Sequence, residues 1–92
     1  MNATLTALAE PNRLQIVELL RRGSRPVGAI VDLLHLRQPQ VSKHLRVLND
    51  AGLVEVRQLA QQRIYSLRPQ RFRELDAWLE SYRGLWEEAT TA

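Results

Sequence analysis

Residues 38–54 read QPQVSKHLRVLNDAGLV, a stretch that predicts a helix over 39–50 followed by a change of structure. Val41, Leu45 and Leu48 recur at the spacing of one helical face. The side chains between them are mostly polar or basic, so the opposite face of the helix is expected to meet solvent. A glycine follows two residues after the helix, as is common where a helix ends. The sequence therefore predicts an amphipathic helix with one buried stripe and one polar, basic face.

Beyond this helix the apolar pattern changes from helical to strand-like. Residues 53–57 and 63–67 are rich in β-branched side chains and partly alternate, and a polar stretch separates them. We expect a β-hairpin over 53–67 with a rather long tip. Arg57 and Arg63 flank this tip and make it basic.

The chain before and after this unit is predicted to be helical. Apolar residues at helical spacing indicate three short helices. The first spans 4–9, the second runs from Pro11 to the two arginines before Gly23, and the third spans 27–35. A longer helix is predicted over 70–89. The predicted fold class is mainly α with a β-hairpin: four helices, the hairpin and a terminal helix. The third and fourth helices form a helix-turn-helix with the hairpin as its wing.

The terminal helix carries an apolar stripe that is wide for a chain of this size. Its members are spaced alternately by three and four residues: Phe72, Leu75, Leu79, Tyr82, Trp86 and Ala89. Packing on its own domain is one interpretation, but pairing with a second copy would bury the surplus apolar surface. We expect a homodimer in which Leu5 and Leu8 join this stripe. Residues 1–92 would then be one domain, with 1–9 and 70–89 as its dimerisation helices.

The composition limits the classes of function. The 92 residues include no cysteine, which excludes a disulfide and a thiolate metal site, and no apolar run approaches the roughly 18 residues that cross a bilayer. The net charge is +3, but residues 1–68 hold ten basic and five acidic side chains, whereas 69–92 hold three and five. A basic body suits a polyanionic partner. Catalysis is not expected, because the chain has no phosphate-binding glycine loop, nucleophile elbow or metal-ligand histidine pair.

Several segments, in order along the chain, resemble the ArsR/SmtB winged-helix repressors. Residues 8–20 are similar to the opening pattern ALADPTRLRILELL, and residues 38–54 are similar to the recognition-helix pattern SQxxVSxHLxxLxxAGLV. Residues 63–67 resemble the second wing strand, so the resemblance extends over nearly the whole chain. It implies a homodimeric DNA-binding regulator, usually a repressor whose affinity for its operator falls when an effector binds.

The resemblance also implies which residues contact DNA. Helix 39–50 would enter the major groove, and the wing 53–67 would contact the backbone or the minor groove. The implied contacts are polar or basic: Gln38, Gln40, Ser42, Lys43, His44 and Arg46 on the helix, with Arg57 and Arg63 on the wing. Glutamine can pair with adenine, and lysine or arginine can reach guanine or phosphate. His44 lies at the edge of the buried stripe, so it is either a DNA contact or a structural histidine.

The implied partner is double-stranded DNA carrying an inverted repeat, with half-sites about one helical turn apart. We expect a cytoplasmic protein, associated with the nucleoid when bound to DNA, that does not bind membranes. The effector is left open. A winged helix used for protein–protein interaction without specific DNA binding is the alternative function, since it shares these fold features.

The sequence departs from the metal-sensing members of the family at both sensor positions. Pro26, Val27 and Gly28 stand where paired cysteines would begin the third helix, and none has a ligating side chain. The terminal helix offers carboxylates without a histidine, namely Asp76, Glu80, Glu87 and Glu88. Carboxylates alone are poor transition-metal ligands. We therefore expect a metal-independent member with no cofactor.

Two smaller departures concern local geometry. Arg37 stands where a serine usually caps the recognition helix, and it could exchange that cap for a phosphate contact. Ala60 occupies the position of the usual wing-tip glycine, which leaves the conformation of the tip open.

Overall fold

The structure is a computed structural model that describes the backbone of residues 1–91 and the side chains of residues 1–87. Its elements follow in this order: α1 (Asn2–Leu8), α2 (Pro11–Leu20), β1 (Arg25–Pro26), α3 (Val27–Leu34), α4 (Gln38–Asp50), β2 (Val54–Leu59), β3 (Gln62–Leu67), α5 (Pro69–Glu80) and α6 (Arg83–Thr91). The predicted fold class, mainly α with a β-hairpin wing after a helix-turn-helix, is confirmed.

One apolar core lies beneath α2, α3, α4 and the sheet. Its largest fully buried side chains are Ile16, Ile30, Val41, Leu45, Leu48, Leu53 and Val54. The predicted stripe of α4 is confirmed, because Val41, Leu45 and Leu48 are each 0% exposed. Close packing of these side chains fixes the orientation of α4, and its polar face is therefore held outward.

The sheet has a third strand that the sequence did not predict. Its order is β1-β3-β2, and all pairs are antiparallel. In β1, Arg25 pairs with Tyr65 and Pro26 with Ile64. Two residues are too few to show the alternation by which a strand is recognised. This short strand connects the beginning of α3 to the wing.

The expectation of a long wing tip is wrong. The strands continue through Leu59 and Gln62, which pair with each other, so that the turn consists of Ala60 and Gln61. Ala60 has a φ of 56°, in the left-handed region that favours glycine, and its carbonyl accepts a 3.1 Å hydrogen bond from Gln58 Nε2. The polar residues that suggested a loop pair well in a strand, because both faces of the outer hairpin meet solvent.

The terminal helix predicted over 70–89 is divided in two. Ser81 and Tyr82 interrupt it: the Ser81 N–H bonds to the carbonyls of Ala77 and Trp78, and Ser81 Oγ donates to the Trp78 carbonyl at 2.6 Å. Serine hydroxyls compete for backbone groups in this way and weaken helices. The side chains of Glu88 and Ala89, which belong to the predicted helix, lie outside the described residues.

Glu10 and Arg13 fix the loop between α1 and α2. Glu10 Oε2 accepts a 2.9 Å hydrogen bond from the Arg13 N–H, which caps α2. The Arg13 side chain reaches back to the end of α1, where Nε donates to the Ala7 carbonyl at 2.8 Å and Nη2 to the Thr6 carbonyl at 3.3 Å. The Thr6 carbonyl also accepts the Ala9 N–H at 3.3 Å, so Arg13 adds a second bond there, caps the end of α1 and holds α1 on α2.

Gly52 and Arg71 join the end of α4 to α5. Gly52 has a φ of 78°, and a Cβ at this position would lie 3.1 Å from Arg71 Nε. Arg71 Nε donates to the Ala51 carbonyl at 3.4 Å, and Arg71 Nη1 bonds to Glu74 at 2.8 Å. The glycine therefore allows both the turn after α4 and the close approach of α5. No helix among the described residues has the length and apolar character to span a membrane.

Candidate nucleic-acid interface

The exposed face of α4 is polar and basic. Ser42, Lys43 and Arg46 are all exposed, on the side away from the buried stripe of the same helix. The stripe is rigidly packed, so the backbone beneath these three side chains has one orientation. A helix of this kind can enter a major groove with its outer residues toward the bases and phosphates.

A groove of about 300 Å³ separates α4 from the wing. Its lining residues come from α3, α4 and both wing strands: Val27, Gln38, Ser42, Leu45, Arg46, Asn49, Val56, Arg63 and Tyr65. These nine residues, all in the described part of the chain, include two arginines and no carboxylate. Three of the predicted DNA contacts of α4 and one of the wing therefore share this groove.

The two wing arginines lie on opposite faces of the hairpin. In β3, Arg63 and Tyr65 share the face that lines the groove, and the Arg63 Cζ lies 5.9 Å from the centre of the Tyr65 ring. Arg57 pairs with Ile64, so it belongs to the other face, since side chains alternate along a strand. Arg63 faces α4, whereas Arg57 is exposed on the outer side of the wing.

A second cleft of about 550 Å³ continues the groove toward the wing tip. Pro26 and the first residues of α3 line it together with Asp32, and the facing side is lined by Gln38, Gln61, Gln62 and Arg63. The sequence did not single out Gln61, Gln62 or Asn49. Asn49 lies seven residues after Ser42, and this helical spacing could have revealed it. The tip glutamines join the site only because the wing folds back beside α3.

Gln40 caps α4 at its first turn. Its Oε1 accepts a 3.1 Å hydrogen bond from the backbone N–H of Arg37. In a capping box, a serine at position 37 would accept a backbone N–H of the first turn, and Gln40 would accept the N–H of residue 37. Gln40 makes the second of these two bonds. Arg37 keeps an exposed side chain, and the amide nitrogen of Gln40 remains able to donate.

His44 faces α2 instead of the groove. Its side chain is 18% exposed, and Nδ1 lies 3.6 Å from Glu10 Oε2. Nδ1 is buried and has no hydrogen-bond partner among the described residues. Of the two interpretations of this histidine, its surroundings favour the structural one.

The Glu10 carboxyl opposite His44 has a lowered pKa. Its partial burial acts to raise the pKa, but two hydrogen bonds from the backbone N–H groups of Arg13 and Asn12 act to lower it. The charges of His44, when protonated, and of Arg13 act in the same direction. The lowering effects prevail, so Glu10 is ionised at neutral pH.

The terminal segment, α5 and α6, exposes large apolar side chains. None of the residues of α5, all of which the structure describes, is buried. Five aromatic or aliphatic side chains are exposed: Trp78, Leu79, Tyr82, Leu85 and Trp86. The other residues of the predicted dimer interface are half-buried, namely Leu5, Leu8, Phe72 and Leu75. The Trp78 and Tyr82 rings stack edge to face with their centres 5.3 Å apart.

The residues at the two metal-sensor positions do not fit a metal. At the beginning of α3, Val27 and Gly28 offer no ligating side chain. In the terminal segment, Arg83 binds Glu80 at 2.7 Å and Glu87 at 3.3 Å, and these hydrogen bonds raise the pKa of Arg83. The described residues contain no group of three His, Cys, Asp or Glu side chains that could hold a metal ion.

A family model for bacterial regulatory proteins of the arsR family matches residues 10–56, from the cap of α2 into β2. The chain belongs to the arsR family. The HTH-type transcriptional repressor SmtB of Mycobacterium tuberculosis is 44% identical to it over 63 residues, which cover 68% of this chain and 47% of SmtB. The chain therefore spans about half the length of this arsR-family relative.

Solved structures of similar proteins share the fold of this arsR-family chain. The ArsR family transcriptional regulator RHA00566 is 28% identical with a TM-score of 0.81, over 94% of this chain and 89% of that one. The homodimeric winged helix-turn-helix DNA-binding domain of Mb0332 from Mycobacterium bovis is 30% identical with a TM-score of 0.74, over 89% and 76% of the two chains.

Proposed function

We propose that this chain is a homodimeric transcriptional regulator, a repressor, that binds an inverted-repeat DNA operator. Each protomer inserts α4 into a major groove and lays the wing against the backbone or the minor groove. The observation that carries this proposal is the groove between α4 and β3, where arginines from both elements meet without a carboxylate. Membership of the arsR family supports it.

The position of each side chain suggests its role in binding. Ser42 and Lys43 lie near the beginning of α4 and would meet bases. Gln38 and Arg46 border the groove, where Arg46 would bind phosphate. Arg63 would follow the DNA backbone from the facing strand.

The remaining predicted contacts are further from the groove. Arg57, on the outer face of the wing, would reach phosphate only if the wing lies flat on the backbone. Gln40 would bind DNA through its amide nitrogen, because its oxygen caps α4. We assign His44 a structural role, because it faces Glu10.

The exposed apolar surface of the terminal segment supports a homodimer. Leu79 and Tyr82 are 47% and 44% exposed, and apolar area of this kind is normally covered by a partner. A second copy of the segment, with α1 alongside, would cover it and place two recognition helices about a two-fold axis. Mb0332, which is 30% identical, is described as homodimeric.

Regulation would not depend on a metal or another cofactor, because neither sensor position offers a ligand set. We assign no catalytic activity. Bound to its operator, the protein would lie at the nucleoid in the cytoplasm, and the effector, if one exists, would belong to another class than transition metals. Zinc, cadmium or arsenite at stoichiometric concentration should therefore leave DNA binding unchanged; release of DNA by any of them would contradict this part of the proposal.

Selection of bound fragments from genomic DNA, followed by binding measurements at several salt concentrations, tests the proposal. A dimer that neutralises roughly 6–10 phosphates should lose about 10³ to 10⁵ in affinity between 50 and 200 mM salt. Lys43→Ala and Arg46→Ala should weaken binding and reduce the salt slope by about one per lost contact. Arg21→Ala is the matched control, because Arg21 is an exposed arginine at the end of α2 that pairs with Glu18.

Failure of the wild-type chain to bind any DNA at low salt would contradict the proposal. It would favour the winged helix as a protein-interaction module.

A further inference from the structure

A series of polar contacts connects α1 to α4 through the loop between α1 and α2. At the α1 end, the Arg13 side chain binds the carbonyls of Ala7 and Thr6 at 2.8 and 3.3 Å. In the middle, Glu10 Oε2 accepts the Arg13 N–H at 2.9 Å. At the α4 end, the same oxygen lies 3.6 Å from Nδ1 of His44. One carboxylate oxygen thus faces both the cap of α2 and the recognition helix.

The contact between Glu10 and His44 is nearly, but not fully, a hydrogen bond. Nδ1 of His44 is buried and lacks a partner among the described residues, and a buried polar atom without a partner is unfavourable. The separation exceeds hydrogen-bond distance by only a small margin. A shift of α4 toward α2 by a few tenths of an ångström would therefore let an Nδ1–H donate to Glu10.

We propose that Glu10 and His44 are positioning residues that fix α4 relative to α1. This inference rests on the proposed function. Neither residue lines the groove, so neither is placed to read bases. Instead, α1 packs on α2 and α2 packs on α4, and the contacts of Arg13, Glu10 and His44 follow the same path. These residues would determine how far the recognition helix stands from the subunit interface.

In a dimer joined through α1 and the terminal segment, the position of α4 relative to α1 determines the distance between the two half-sites that the dimer can bind. Two recognition helices related by a two-fold axis fit half-sites separated by about one helical turn, or 34–36 Å. A helix that is held firmly against α2 accepts one spacing, whereas a helix that can shift tolerates neighbouring spacings. Loss of the contact should therefore relax the choice of spacing without changing the preferred bases.

The experiment uses the full chain and the operator recovered by selection from genomic DNA. Two further duplexes carry the same half-sites one base pair closer together or further apart. His44→Leu removes both ring nitrogens, whereas His44→Asn places an amide nitrogen near the position of Nδ1. Glu10→Ser keeps a capping oxygen for the Arg13 N–H, but its shorter side chain does not reach His44. Glu18→Gln is the matched control, because it removes an exposed carboxylate of α2, the helix that Glu10 caps, and Glu18 pairs with Arg21 instead of His44.

The measured quantity is the ratio of Kd for an altered spacing to Kd for the native spacing. We expect this ratio to fall about fivefold in His44→Leu and to keep its wild-type value in His44→Asn and Glu18→Gln. Glu10→Ser should lower the ratio by a similar factor. The double variant of His44→Leu with Glu10→Ser should lower the ratio no further than His44→Leu alone, because the two residues act through one contact.

A merely structural role predicts a different result. His44→Leu would then lower the Tm and leave the ratio unchanged, and that outcome would overturn the proposal. Should His44→Leu fail to fold, Glu10→Ser decides, since its hydroxyl keeps the cap on α2: a reduced ratio supports the proposal and an unchanged ratio overturns it. A wild-type chain that selects no operator contradicts the proposed function itself, and the positioning role with it.

Discussion

The body (residues 1–68) and the terminal segment (residues 69–91) differ in how their apolar side chains are covered. In the body, Ile16, Ile30 and Leu45 are 0% exposed, whereas Leu79 and Leu85 of the terminal segment are 47% and 73% exposed. The charges differ as well: residues 1–68 have a net charge of +5 and residues 69–92 one of −2. The body therefore covers its own apolar residues and carries the basic charge of the proposed DNA-binding face, whereas the terminal segment exposes the apolar surface that the proposed dimer would cover.

The largest effect is expected from the terminal segment. Leu79→Glu combined with Trp86→Glu places charge in the proposed dimer interface, so the protein should become monomeric or fail to fold. With only one half-site engaged, operator affinity should fall about 10²- to 10⁴-fold. Sedimentation and DNA titration measure both properties. Leu33→Glu, at a leucine of the body that is 53% exposed, is the control. A folded monomer that keeps full affinity for the operator would contradict the proposed difference in role between the body and the terminal segment.

Truncation in the core of the body should have the next largest effect. Leu45→Ala leaves a cavity beneath α4, where the side chain is 0% exposed, and should lower the free energy of unfolding by about 2–5 kcal/mol. Denaturant unfolding gives this value. Val47→Ala, on the same helix but 37% exposed, should cost far less. An equal loss of unfolding free energy in the two variants would mean that the buried face of α4 does not pack on a rigid core.

A smaller, stabilising effect is expected at the wing tip. Ala60→Gly relieves a left-handed backbone with a φ of 56° and should raise the free energy of unfolding by about 1 kcal/mol. Gln61→Gly, at the neighbouring residue without a positive φ, should instead lower it by about 0.5–1 kcal/mol. Thermal unfolding distinguishes the two. Stabilisation by both glycines, or by neither, would argue against the two-residue turn.

The smallest effect concerns the pH dependence of stability. Because the pKa of Glu10 is lowered in the folded chain, its ionised form stabilises the fold above its unfolded pKa, about 4.3. That contribution is lost as the pH falls through the lower, folded pKa. The difference in Tm between the wild type and Glu10→Gln should therefore be greatest near neutral pH and decrease in acid. A difference that grows in acid would contradict the assigned role.

Sequence reasoning succeeded best where a pattern is local. The buried stripe of α4 follows from helical spacing, and the end of the helix follows from Gly52, which the structure finds at a φ of 78°. It failed at the wing tip, where polar residues that suggest a loop in fact pair as strands. The prediction of one long terminal helix failed at Ser81. There the hydrogen bonds of a serine and its neighbours interrupt the helix, although the apolar spacing of the sequence continues across it.

The candidate site shows the same division. Exposure of Ser42, Lys43 and Arg46 could be predicted from the helical wheel alone. The helical wheel gives no information on the wing, where Arg63 faces α4 and Arg57 faces away. Their directions depend on strand register and on how the wing packs beside α3. Nor can the wheel tell that His44 meets Glu10, a residue 34 positions earlier in the chain.

By itself, the sequence determined the first four helices, the two wing strands apart from their tip, the composition of the helix faces and the absence of thiolate ligands, because each depends on neighbouring residues or on composition. The tertiary structure decided which side chains share a groove, which ones lie behind it, and which apolar residues remain uncovered. These outcomes depend on contacts between residues distant in the chain, such as Arg63 with α4 and Glu10 with His44. Spacing within a segment carries no information about them, because the segment does not specify which element will pack against it.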